Sequence, residues 1–156
     1  MPAVRFVDQL NLQIGHELAA HNQYLACAIH YDALTMPQMA AFFYAQALEE
    51  RDHAMMMVQY LLDSDTDVHV PAVSAPQSTF SDVVEPVSLA LDQERRVTEQ
   101  INGLLLTARD ENDFASEQFM QWFIKEQVEE VATMSDLLAV VQRNLGDIED
   151  VEEYVS

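Results

Sequence analysis

The chain reads as an all-α protein: four long helices in a bundle, one long crossover between the second and third, and a short fifth helix. Three observations predict this. Glycine and proline are scarce, 3 and 5 in 156 residues, while Ala, Leu, Gln, Glu and Met fill long uninterrupted stretches, as helices require. Apolar residues recur at helical spacing in four of those stretches. The one segment rich in proline and serine, 64–81, separates the second from the third. A single domain over 1–156 suits the length, which is enough to bury a substantial core. The bundle should occupy about 5–144.

The first helix is predicted over 5–35. Val7, Leu10, Ile14, Glu17, Leu18, His21, Tyr24, Leu25 and Ala28 share one side of it, so Glu17 lies inside an apolar stripe. His16 and His30 fall elsewhere and are expected in solvent. His21 points inward and reads as a hydrogen-bonded core histidine rather than a ligand. Thr35-Met36-Pro37 ends this helix, and Pro37 suits the first turn of the next.

The second helix, about 37–63, carries Glu49-Glu50-Arg51-Asp52-His53-Ala54. Glu50 and His53, three apart, project from one face and join Phe42, Phe43, Gln46, Met57, Tyr60 and Leu61 in the inward sector. Burying a carboxylate and an imidazole there is costly unless they are paired or bind a cation. Glu-x-x-His on an inward face is also the half-site by which four-helix bundles hold two iron or manganese ions.

The crossover 64–81 contains Pro71, Pro76 and His69, the last expected to be exposed. A helix of ~26 residues is ~39 Å long, and ~18 extended residues reach up to ~59 Å. The crossover can therefore span the bundle and make helices two and three parallel. The third helix should run over 82–109, with Ser81 as N-cap and Pro86 tolerated in the first turn. Val83, Val87, Leu91, Glu94, Thr98, Ile101, Leu105 and Ala108 form its inward sector. Asp110-Glu111-Asn112-Asp113 is a tight connection to an antiparallel fourth helix, 113–144, whose inward sector holds Phe119, Phe123, Gln127, Glu130, Met134, Leu137, Leu138 and Val141. Gly146 is expected to end it. The last element, 147–155, has a small apolar face of Ile148, Val151, Tyr154 and Val155. It is too short to stand alone and finds no evident place in the four-helix core.

Each long helix thus carries acid inside its apolar stripe: Glu17, then Glu50 with His53, then Glu94, then Glu130 with Gln127. The helix midpoints lie near 20, 50, 95 and 129, so these groups share one depth of an antiparallel bundle. No lysine or arginine shares the inward sectors near them. Four carboxylates without a counter-charge call for cations, and two divalent ions meet the need. Oxygen ligation with one imidazole suits iron or manganese, and zinc can also occupy such a site. Glu49, Glu126 and Glu129, at the stripe edge, point to a third and more exposed position.

The charge balance agrees. The chain has 27 acidic against 7 basic residues, a net charge of −20, which repels nucleic acids and anionic membranes and attracts cations. No run approaches the ~20 apolar residues of a membrane span. One cysteine, Cys27, cannot form an internal disulfide, and no signal-peptide pattern opens the sequence. A cytoplasmic protein with a packed thiol is expected.

With these residues in place, the chain resembles the non-haem bacterial ferritins over nearly its whole length. The resemblance rests on Gln13-Ile14-x-x-Glu17-Leu18 with Tyr24, on Glu49-Glu50-Arg51-Asp52-His53-Ala54, on Asp92-Gln93-Glu94, and on Trp122-Phe123-x-x-Glu126-Gln127-x-Glu129-Glu130. It implies a ferritin-like fold and a di-iron ferroxidase centre. One iron would be held by Glu17, Glu50 and His53, the second by Glu50, Glu94 and Glu130, with Gln127 beside the second. A third iron would use Glu49, Glu126, Glu129 and Glu130, and Tyr24 would be a nearby redox-active tyrosine. It further implies oxidation of Fe²⁺ by O₂ or H₂O₂, storage as ferric oxide in a hollow homo-oligomer of 24 subunits, and pores near Asp113 and Glu117. Met120 stands where animal ferritins have a carboxylate. Haem is not expected, because Arg51 stands where haem-binding relatives carry methionine. Those relatives also repeat Glu-x-x-His where this chain has Gln127-x-x-Glu130. Two alternatives have no oxidase activity: a metal-buffering protein, and an acidic helical bundle that serves as an interaction module.

Overall fold

The computed structural model describes residues 1–156. It contains five helices and no strands: α1 (Val4–Ala33), α2 (Pro37–Asp63), α3 (Glu85–Asp110), α4 (Phe114–Arg143) and α5 (Ile148–Val155). No helix is long and apolar enough to cross a membrane.

Contacts at the helix ends fix the topology. The Ala3 N–H donates to Asp113 Oδ2 at 2.9 Å and Arg5 pairs with Glu111 at 2.8 Å, so α1 and α4 start at the same end. Tyr60 meets Ser116 at 2.8 Å there, so α2 finishes at that end. At the other end the Tyr31 hydroxyl donates to the Val83 carbonyl at 2.6 Å, which puts the start of α3 beside the finish of α1. Helices α2 and α3 are therefore parallel, as the crossover length predicts. The crossover runs along α1, tied by His69 N–H to Asn11 Oδ1 at 2.8 Å and by Gln77 N–H to Gln23 Oε1 at 2.9 Å. Pro71 of the crossover lies where a Cβ on Gly15 would clash, so the absent side chain lets the crossover seat against α1.

Several boundaries differ from the sequence reading, each for a local reason. α1 stops at Ala33, not 35, because Thr35 turns to φ 59°. α3 starts at Glu85, not 82. Ser81 does not cap it. Instead Asp82 Oδ1 accepts from the N–H groups of Val84 and Glu85 at 3.0 and 2.8 Å, and Ser81 bonds the Glu85 carboxylate. α4 ends at Arg143, capped by Asn144, and Gly146 adopts no left-handed conformation. Asp113 does cap α4, accepting from Ser116 N–H at 3.2 Å.

α5 has a place in the core after all. Val151 is buried in it and Val155 packs against it. The Glu152 carboxylate accepts from the Gln38 and Met39 N–H groups at 3.0 and 2.7 Å. These are orphan donors at the start of α2, which lacks a side-chain cap of its own, so the contact joins both ends of the sequence logic. Ile148 and Tyr154 remain exposed.

The core is split into two apolar clusters. One is built around Tyr24, Tyr31, Phe43, Val87 and Leu137, the other around Phe6, Leu10, Met57, Ile101 and Phe123. Glu17, Glu50, His53, Glu94, Gln127 and Glu130 are all buried as well, and they fall between the two clusters in sequence on each helix. Cys27 is fully buried, and desolvation pushes its thiol up to about 12. His30 is not free in solvent: its ring bonds the Asp82 carbonyl at 3.1 Å and stacks edge-on with Phe80.

Candidate metal centre

Glu50 is the hub. Its residue is wholly buried, and neither carboxylate oxygen has a hydrogen-bond partner. It belongs to two groups whose ligand atoms converge, Glu17–Glu50–His53 and Glu50–Glu94–Glu130. The helical spacing of Glu50 and His53 places His53 Nδ1 3.4 Å from Glu50 Oε2, and Glu17 Oε2 lies 4.0 Å from the same nitrogen. Glu17 Oε2 and Glu130 Oε2 are also buried without a partner. An orphaned buried carboxylate oxygen is expensive, and here four such atoms face one space. No lysine or arginine is buried.

The acidities reflect this crowding. Burial first, and the neighbouring Glu50 second, hold the Glu17 carboxyl well above the usual range. Burial and Glu94 do the same to Glu50. Glu130 is pushed up to about 9 by burial, Glu94 and Glu49. Burial and crowding therefore favour the protonated carboxyls, and a divalent cation would take the place of those protons.

Hydrogen bonds orient the remaining members. The Tyr24 hydroxyl donates to Glu94 Oε1 at 2.5 Å, and burial followed by Glu94 raises its own pKa well above normal. Gln127 Nε2 donates to Glu94 Oε2 at 3.0 Å and Thr98 Oγ1 at 3.2 Å. The ring of His53 is packed edge-on by Trp122 and Phe123. His21 bonds the Ala47 carbonyl at 2.6 Å, as expected of a core histidine, and joins no ligand group.

A third group, Glu49–Glu126–Glu130, converges beside the pair. Glu129 is exposed and outside that group, because one residue along a helix turns the side chain by ~100°. Of the two pore candidates, Asp113 caps α4 and Glu117 pairs with Arg109 at 2.7 Å. Sequence reasoning gave no role to Gln13, which is buried and donates to Glu17 Oε1 at 3.4 Å and to Gln100 Oε1 at 3.1 Å. Its position four residues before Glu17 was the available signal. Gln93 was likewise missed, and its buried amide nitrogen has no partner.

A four-helix bundle whose buried middle is lined with carboxylates and one imidazole, with no buried cationic side chain, belongs to the class of bundles built to be able to hold metal ions. The Ferritin-like domain family model matches residues 7–144. Ferritin BfrB of Mycolicibacterium smegmatis is 51% identical over 144 residues, covering 92% of this chain and 80% of the relative. The bacterial non-heme ferritin of Staphylococcus aureus is 35% identical over 147 residues, covering 94% and 88%. Among solved structures, the open-pore ferritin of the hyperthermophilic archaeon Archaeoglobus fulgidus superposes with a TM-score of 0.95 at 28% identity, covering 100% of this chain and 98% of that one. The chain belongs to the ferritin family, and that membership supports iron storage.

Proposed function

We propose that the protein is a ferroxidase that oxidises Fe²⁺ at the buried pair of sites and stores the product as ferric oxide. The observation that carries this reading is the shared carboxylate of Glu50, unpartnered at both oxygens and common to two converging groups. Glu17, Glu50 and His53 would hold one iron, and Glu50, Glu94 and Glu130 the other. Each Fe²⁺ gives up one electron, so a pair supplies the two electrons that reduce O₂ with two protons to H₂O₂, or H₂O₂ with two protons to water. The protein's part is to hold both ions at once in oxygen-rich surroundings that favour the more highly charged Fe³⁺. Gln127 and Tyr24 fix the Glu94 carboxylate from opposite sides.

Glu49 and Glu126, with Glu130, form a flanking position for iron in transit. In keeping with the family, the working form is a hollow homo-oligomer of 24 subunits in the cytoplasm, without haem. Its net charge of −20 concentrates Fe²⁺ at the surface. Glu50→Ala tests the reading. Rapid Fe²⁺ oxidation should be lost while the oligomer forms normally, and an unchanged fast phase would overturn the paired-site reading.

A further inference from the structure

A groove of about 470 Å³ lies between α1 and α3. Its lining includes the buried Gln13 together with His16, Arg96, Glu99, Gln100 and Gly103. Gln13 faces two ways. It lines the groove, yet its amide nitrogen lies 3.4 Å from Glu17 Oε1 on the inner side. The same nitrogen is held by Gln100 Oε1 at 3.1 Å, and Gln100 is only half-buried. Gln13 thus links the lining of the groove to the first carboxylate of the paired site, and Gln100 holds it there.

We propose that this groove is the route by which a divalent cation reaches the pair, with Gln13 and Gln100 as a hydrogen-bonded gate. The proposal rests on the paired-site reading above. The chemistry of the wall fits a hydrated cation better than an apolar gas. Only two of the nine lining residues are hydrophobic, and the amide oxygens of Gln13 and Gln100 can replace waters of hydration one at a time. The charges of Arg96 and Glu99 offset each other, so the wall itself neither repels nor traps a cation. A bond between two neutral amides contributes only about 1 kcal/mol net, so breaking it is no barrier to passage on the timescale of side-chain motion. A Cβ built on Gly103 meets nothing within 4 Å, so the groove has room for an added side chain there.

That open glycine supplies the test. Gly103→Cys can be capped with a bulky maleimide in the assembled full-length protein, because Cys27 is fully buried and stays unlabelled. Binding of Co²⁺ alone, followed by stopped-flow absorbance, reports arrival at the site without oxidation. Capping should slow the Co²⁺ signal several-fold while leaving its final amplitude and the oligomer size unchanged. Gln100→Ala, which removes half of the gate, should speed it. Equal rates before and after capping, or slower binding in Gln100→Ala, would overturn the route. The same would follow if capping slowed only the later reaction with O₂, which would mark the groove as a path for the oxidant. If uncapped protein gives no Co²⁺ signal that Glu50→Ala abolishes, the paired-site reading itself fails, and that outcome is distinct from failure of the gate.

Discussion

Tyr24 donates its hydroxyl hydrogen to Glu94 Oε1 across 2.5 Å, linking α1 to α3 in the middle of the bundle. Gln127 approaches the other oxygen of the same carboxylate from α4. Three helices are thereby locked to one side chain. Tyr24→Phe leaves Glu94 buried with a single side-chain donor, which should cost about 1–3 kcal/mol. The melting temperature of metal-free protein should fall accordingly, with metal stoichiometry unchanged. An unaltered melting temperature would contradict this account of Glu94.

The raised acidities give the metal-free protein a distinctive pH dependence. Glu130 moves from its ordinary 4.5 up to about 9, and Glu17 and Glu50 shift in the same direction. A carboxyl with a higher pKa in the folded state binds more protons folded than unfolded, so stability falls as pH rises between the two values. The metal-free protein should lose stability between about pH 4.5 and 9 on this account. Divalent metal removes the penalty by favouring the ionised carboxylates, and loading at pH 7 should release protons. A pH-stat titration with Zn²⁺ measures them directly.

Much of this arrangement was legible in the sequence because helical spacing is rigid. Glu17, Glu50, His53, Glu94, Gln127 and Glu130 fall inside apolar stripes, and the structure buries all six. The length of the crossover permitted parallel α2 and α3, which the structure has. What escaped was local or long-range hydrogen bonding. The start of α3 is set by Asp82 rather than Ser81, since either side chain can cap and only the chain path decides. His30 was read as solvated because the crossover that covers it has no periodicity to place Phe80. Glu152 gave no sign of reaching Met39, a contact spanning 113 residues.

That contact yields a prediction about α5. Glu152 serves as the missing N-terminal cap of α2, so Glu152→Ala should cost about 1–2 kcal/mol, measured by thermal unfolding. Truncation after Gly146 removes Val151 from the core as well. It should leave the buried carboxylates able to bind metal but weaken the oligomer, because the exposed Ile148 and Tyr154 lose their chance to associate. Light scattering with metal titration checks both halves. A truncated oligomer of native size and stability would contradict the assembly role.

Two helical glycines should respond oppositely to alanine. At Gly103 the added methyl meets nothing, so Gly103→Ala should stabilise by about 0.5–1 kcal/mol through helix propensity. At Gly15 the methyl collides with Pro71. Overpacking of this kind costs about 1–3 kcal/mol, enough to offset the propensity gain and loosen the crossover. Denaturant unfolding of the two variants should give shifts of opposite sign.

The paired site requires that two metal ions share Glu50. Crystals soaked anaerobically in Fe²⁺ and measured with anomalous scattering at the iron edge test it most directly. Two adjacent peaks are expected in each subunit, one against Glu17 and His53, the other against Glu94 and Glu130, with Glu50 touching both. Iron confined to Glu49 and Glu126, or a single peak that leaves one oxygen of Glu50 unligated, would contradict it.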